Sequence, residues 1–213
     1  PQTALMGMSK GALFNGESGL GASSVRATSG AIAPLDPLTF SCWFSGKHTG
    51  QGALVRQLNW EADGYNIYIK TDDDTEVTID THHGSTSTSF STTSGTKDLL
   101  DGGLNHIVVI IDKSASRRKV YINGSLMEES TSSFDYDTDA TSTINIGQPR
   151  STGNEFDGII NEVSIWSDSF TLAEVQELFN DGVALDATTH SAEANLKGYW
   201  RNDGTSTWAD RQD

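Results

Sequence analysis

The amino-acid sequence predicts an all-β protein, a two-sheet antiparallel β-sandwich with one short helix near residues 172–180. Three observations carry that prediction. Short segments of alternating apolar and polar residues recur along most of the chain, polar turn-forming stretches separate them, and only one late stretch has helical spacing. A chain of 213 residues is ordinary for a single sandwich, and no shift in composition marks a boundary, so residues 1–213 are read as one domain.

Residues 38–44 (LTFSCWF) place Leu38, Phe40, Cys42 and Phe44 on one face and Thr39, Ser41 and Trp43 on the other. Residues 65–70 (YNIYIK) and 76–80 (EVTID) read as two further strands joined by the acidic turn 71–75. Residues 106–112 (HIVVIID) are apolar on both faces, which predicts a central strand. Residues 119–122 run into Asn123-Gly124, the pair that type I′ hairpin turns prefer because both positions need positive φ, and 125–128 return. Residues 144–146 and the longer segment 158–166 follow. In the latter, Ile159, Asn161, Val163 and Ile165 alternate with Ile160, Glu162, Ser164 and Trp166. The Ser/Thr-rich stretch 84–96 and the segment 130–143 read as loops or solvent-facing edges. Thr171-Leu172-Ala173-Glu174 is a capping box, Leu172, Val175, Leu178 and Phe179 form an apolar stripe, and Gly182 is the stop.

Fourteen Lys and Arg against 29 Asp and Glu leave a net charge of −15. That sign argues against nucleic acid and anionic membranes as partners, and it supplies carboxylates for a hard cation such as calcium. No apolar run approaches the ~18 residues of a membrane span, so no membrane insertion is expected. The single cysteine, Cys42, excludes an internal disulfide and a multi-cysteine metal site; beside Phe40, Trp43 and Phe44 it is expected to be buried. The start, Pro1-Gln2-Thr3-Ala4, does not read as a signal peptide and is expected to be a processed or excised end.

Four segments together resemble the laminin-G-like, concanavalin A-like lectin/glucanase jelly-roll superfamily, specifically its bacterial and phage branch. Gly11-Ala12-Leu13-Phe14-Asn15-Gly16 is similar to the opening strand of that group, and residues 38–44 to its aromatic strand. Asn105-His106-Ile107-Val108-Val109 through Val120-Tyr121-Ile122-Asn123-Gly124 resembles its central hairpin, with Asn105 replacing the usual Trp. Residues 156–163, running through Ile165-Trp166 to Leu172-Ala173-Glu174-Val175, resemble its last long strand and helix, with Asn161 replacing the usual Asp. The tail 190–201 resembles a closing strand of virion proteins in which the chain continues, so this sequence is expected to be part of something longer. The resemblance implies a jelly roll, but the group holds lectins, adhesion modules, glycosidases and structural domains, and function must come from a site.

Jelly-roll glycosidases of this group carry two Glu and an Asp at alternate strand positions, and a retaining pair holds its carboxyls ~5–5.5 Å apart. Glu61-Ala62-Asp63 begins such a pattern, but Tyr65 and Asn66 follow where the second acid belongs; Asp135-Tyr136-Asp137 has no Glu partner, and Glu162 is alone on its strand. No G-x-S-x-G elbow occurs. His82 and His83 are neighbours on a strand, point to opposite faces and cannot chelate one metal together. The resemblance implies a Ca²⁺ ion at the sandwich rim, with Asp63, and Asn154, Glu155 and Asp157 before the last long strand, as candidate ligands. Asp72-Asp73-Asp74 reads as a solvated turn. Glycan recognition needs an aromatic face ringed by amides and carboxylates. Trp60, Tyr65 and Tyr68 lie close in sequence to Asn59 and Asn66, and Arg150 and Asn154 occupy the 147–158 loop. Trp43 and Trp166 are expected to pack beneath loops, and the Asn123-Gly124-Ser125 sequon is explained by its turn.

The expectation is a non-enzymatic carbohydrate-binding or adhesion module on a virion or bacterial surface, extracellular. Its expected partners are surface glycans, other virion structural proteins, or further copies of itself in a homo-oligomer. The alternatives are a purely structural decoration domain making protein–protein contacts and a glycoside hydrolase.

Overall fold

In the computed structural model the described residues are 12–15, 25–27, 34–47, 52–59, 63–70, 75–93, 98–138, 143–147, 156–201 and 207–208. Two seven-stranded sheets pack face to face. The first contains β1 (Ala12–Asn15), β12 (Asp157–Trp166), β3 (Leu38–Gly46), β8 (Asn105–Asp112), β9 (Arg117–Ile122) and β10 (Ser125–Ser130) in that order, with β13 (Leu196–Trp200) also paired to β12. The second runs β14 (Thr207–Trp208), β2 (Val25–Ala27), β11 (Ile144–Ile146), β4 (Gly52–Asn59), β5 (Asp63–Ile69), β6 (Val77–His83), β7 (Thr86–Ser91). All pairings are antiparallel except β14 with β2.

The period-2 pattern decides which side chains enter the core between the sheets. Leu38, Phe40, Cys42 and Phe44 of β3 meet Tyr65, Ile67, Ile69, Val77 and Ile79 of β5 and β6, all fully buried. Burying each large apolar side chain contributes on the order of 2 kcal/mol. Cys42 is a core thiol, and desolvation raises its pKa. The other face of β8 is equally apolar, because Val108 and Ile110 carry a second cluster with Tyr121, Trp166, Phe170, Val175, Leu178, Ala187, Leu196 and Tyr199. That second layer is helix α1 (Leu172–Phe179) and the segment after it, laid over the outer face of the first sheet.

α1 begins as the capping box requires: the Glu174 N–H donates to Thr171 Oγ1 at 3.4 Å, and the Thr171 N–H donates to Glu174 Oε2 at 2.6 Å. It ends at Asn180 in the left-handed conformation. Val175 and Leu178 are its buried positions, whereas Leu172 is half exposed and does not join the stripe. The Asn123-Gly124 turn has φ of 51° and 73°, as its sequence demands, and tucks under the helix end: a Cβ on Gly124 would lie 2.8 Å from Phe179.

Of the loop or solvent-facing edge expected over the Ser/Thr-rich stretch, the structure has the edge: β7 is a regular strand at the margin of the second sheet, and its Phe90 enters the core. Residues 130–143 do hold the loop expected, but Phe134 and Tyr136 plug the sandwich margin, with the Tyr136 hydroxyl donating to the Leu35 carbonyl. Arg118 lies there too, stacked 4.5 Å over Phe134. Finally, β12 does not alternate throughout. Glu162 takes φ of 52° at a bulge, so Ile160, Val163 and Ile165 all face the core.

Candidate functional site

The two outer faces of the sandwich differ in chemistry. Under α1, Trp166 packs on Phe170 and His190, with ring centroids 5.1 and 5.0 Å apart. Trp43 sits 4.9 Å from the His106 ring and 5.9 Å from Phe179. Both tryptophans are therefore structural. His106 is enclosed; its Nε2 lies 2.8 Å from Ser41 Oγ, and burial pushes its pKa down to about 3. A Ser–His pair without an acid at Nδ1 is no catalytic triad, and Nδ1 here has no partner.

The outward face of the second sheet is polar. Tyr65, Ile67 and Ile69 point inward, so Asn66 and Tyr68 point outward, and register extends that assignment across the sheet. Asn145, Arg56, Asn66, Asp80 and Ser89 lie side by side on β11, β4, β5, β6 and β7. At ~4.8 Å between strands the row spans roughly 19 Å. A second row places Ala53, Tyr68, Thr78 and Ser91 beside it. The Ser89 hydroxyl donates to Asp80 Oδ1 at 2.6 Å, and Thr78 and Ser91 share a hydroxyl–hydroxyl bond of 2.8 Å. Asn66 is only 8% exposed, and its Oδ1 has no hydrogen-bond partner. Tyr68 and Asp80 are half-buried around it, and among the described side chains of this face Tyr68 is the one tyrosine, phenylalanine or tryptophan.

At one end of the sandwich the chain gathers charge. His83 Nδ1 lies 2.7 Å from Asp135 Oδ2, and Lys113 Nζ lies 3.3 Å from Asp135 Oδ1. The Gly84 N–H donates to Asp63 Oδ1 at 2.8 Å. The bond to Asp135 raises the pKa of His83, with smaller contributions from Asp137 and Asp63, and the same bond lowers that of Asp135. The trio ties the second sheet, through the 131–138 segment, to the β8–β9 turn of the first.

Of the residues singled out from sequence, the structure brings Asn66 and Tyr68 together on the open face. Tyr65 does not join them: its ring is fully buried in the inter-sheet core, because it shares the parity of Ile67. Trp60, Arg150, Asn154 and Glu155 lie outside the described residues, as does the side chain of Asn59. Asp63 and Asp157 do not form one calcium site. Asp63 starts β5 beside Gly84, whereas Asp157 pairs with Asn15 of β1 and its carbonyl accepts from the Lys47 N–H just past β3, next to Phe156, whose ring approaches Gly52 opposite Ile69. They stand at opposite ends of the sandwich, about 20 Å apart along a strand of this length. Among the described residues no three His, Cys, Asp or Glu side chains gather to hold a metal ion. His82 and His83 diverge as expected, His82 buried outward and His83 turned to Asp135. Glu162 is 5% exposed; it accepts from the Tyr199 hydroxyl and, at 2.8 Å, from Arg201 Nε. That places it in a buried network of β12 and β13 rather than in a cleft.

Arg56, Asp80, Thr78 and Asn145 were not singled out from sequence. Alternation in Val77-Thr78-Ile79-Asp80 already points Thr78 and Asp80 away from the core. Only register shows that they flank Asn66.

Solved structures with the same fold cover most of this chain. A heptameric SAP-like pentraxin from Limulus polyphemus is 15% identical, with a TM-score of 0.59 over 85% of this chain and 86% of its own. The CBM40 module of the Ruminococcus gnavus IT-sialidase is 13% identical, with a TM-score of 0.57 over 73% of this chain and 94% of its own. A Bacteroides ovatus protein provisionally assigned to carbohydrate binding is 16% identical, with a TM-score of 0.63 over 85% of this chain and 50% of its own. No curated protein sequence matches. A family model for the concanavalin A-like lectin/glucanases superfamily matches residues 19–176, and together with the sandwich described above it makes this chain a member of that superfamily.

Proposed function

We propose that the protein is a carbohydrate-binding module without catalytic activity, and that its ligand lies across the outward face of the second sheet. The observation that carries this reading is the contrast between the two outer faces. One is apolar and sealed by α1, and the other is polar, with Arg56, Tyr68 and Asp80 half-buried on it among the buried amides of Asn66 and Asn145 and the buried hydroxyl of Thr78. A sugar offers an apolar C–H face to an aromatic ring and a rim of hydroxyls to polar side chains, the combination this surface supplies. The Ruminococcus module has been solved with α2,3 and α2,6 sialyllactose, and with the Bacteroides protein it supports the ligand class. The carboxylates support a non-catalytic role, since Glu162, Asp63 and Asp135 are each engaged in structural hydrogen bonds at separate places.

The same reading places the module on a virion or bacterial surface, where the tail resemblance and the acidic composition fit exposure to solvent. Calcium is part of the proposal, with Asp63, or Asp157 and its sequence neighbours Asn154 and Glu155, as the residues that would hold it. The test is a broad glycan array probed with the purified chain, once with calcium and once with chelator. Binding to a defined glycan class supports the module, and loss of binding in chelator supports the calcium. No binding under either condition overturns the carbohydrate reading and leaves a structural decoration domain in its place.

A further inference from the structure

We infer that the outward face of the second sheet selects a neutral glycan presenting hydroxyl donors, and discriminates against sugars bearing a carboxylate or sulfate. This rests on the reading that the second sheet binds carbohydrate. The central observation is Asn66. Its side chain is more than nine-tenths buried on the middle strand of the face, and its Oδ1 accepts no hydrogen bond. A buried acceptor left unpaired costs about 1–3 kcal/mol, and only a donor relieves it. A sugar hydroxyl can donate, whereas an ionised carboxylate or sulfate only accepts.

The register neighbour of Asn66 on β6 repeats the demand. Asp80 holds the Ser89 hydroxyl with Oδ1 and sets its carboxylate beside the amide. Tyr68 and Asp80, both half-buried, stand beside Asn66 on the same face. One end of the sandwich adds Asp63, Asp135 and Asp137 around His83, and the whole chain carries −15. An anionic sugar therefore meets repulsion on approach and acceptors on arrival.

Lys113 is held by Asp135 at the end of the sandwich. Two further cations stand near Asn66 and Asp80, and neither reverses this. Arg118, whose charge Asp80 supports, is 2% exposed and stacked on Phe134, out of a ligand's reach. Arg56, beside Asn66 in the row, is already engaged in an interaction of its own and has its Nε buried, so it is no free clamp for an anion.

The experiment is calorimetric titration with matched pairs, each a neutral oligosaccharide and its sialylated counterpart, beginning with lactose and α2,3 sialyllactose and extending to the pairs an array selects. The neutral member should bind at least about tenfold more tightly, the scale of one like-charge juxtaposition. Raising the salt should narrow that ratio. Asp80→Asn should narrow it as well, Asn66→Leu should abolish binding of the neutral member, and Asn66→Asp should retain it while widening the ratio. Circular dichroism and melting curves check that each variant is folded. A sialylated member that binds more tightly, or a ratio unmoved by Asp80→Asn and salt, overturns the inference and leaves the carbohydrate module standing. Failure of both members of every pair overturns the module as well.

Discussion

Acidification should loosen the attachment of α1 through one buried imidazole. His106 lies between Trp43 and Phe179, donates or accepts only through Nε2 to Ser41, and titrates near pH 3 in place of its ordinary 6.5. Among the described residues no charged group is in hydrogen-bond contact with its ring, so its cation has no partner among them. The folded state therefore requires the neutral form, and the unfolded state does not. A pKa depressed on folding contributes stability that is complete above pH 6.5 and is lost as the pH falls toward 3. At 1.36 kcal/mol per unit, the loss reaches roughly 2–3 kcal/mol between pH 7 and 4.5, and roughly 5 kcal/mol at its limit. Urea unfolding at half-unit steps from pH 7.5 to 4.5, for the wild type and His106→Phe, measures it. The variant keeps an aromatic ring between Trp43 and Phe179 but cannot titrate. Asp135 and Glu177, whose lowered pKa values also cost stability in acid, are present in both proteins and cancel in the difference. So does His83, whose raised pKa acts with the opposite sign, its contribution being present below pH 6.5 and lost as the pH rises through the raised value. Parallel curves for the two proteins would refute the argument.

Three further predictions concern packing and charge. Gly158→Ala should unfold the chain or cost more than about 3 kcal/mol in urea unfolding, because φ is 151° and the new Cβ would fall 2.0 Å from the Ser45 carbonyl oxygen. Leu178→Ala should cost about 2–4 kcal/mol and raise hydrogen exchange in residues 171–200, since Leu178 anchors α1 on the second apolar cluster. Asp135→Asn should let the pKa of His83 fall back toward its ordinary value in an NMR titration while the melting temperature barely moves, because the trio is solvent-exposed.

Much of the scaffold was legible because its rules are local. The alternation of 38–44, the Asn-Gly turn and the Thr171–Glu174 box each depend on neighbours within four residues, and all appear in the structure. β4 escaped notice because a register shift at Ala53–Val55 puts Leu54 and Val55 both in the core and breaks the period. β7 was read as loop or edge because its hydroxyl-rich sequence has one apolar residue, and cross-strand pairing to β6 makes it a strand. Glu162 reversed the parity of β12 through a left-handed residue that periodicity cannot foresee. The site was legible in part. Period two applied strictly to Tyr65-Asn66-Ile67-Tyr68 assigns Tyr65 to the core, whereas proximity in sequence had grouped it with Tyr68. Bringing Arg56, Asn66, Asp80 and Asn145 into one row needs register between strands distant in sequence.

The most direct test of the central claim is where a sugar binds. An amide NMR titration of the ¹⁵N-labelled chain with the strongest ligand from the array would locate it. The account predicts shifts concentrated at Arg56, Asn66, Tyr68, Thr78 and Asp80, with the amides of α1 unmoved. Shifts centred on α1 or on the margin around Phe134, with the open face silent, would contradict it.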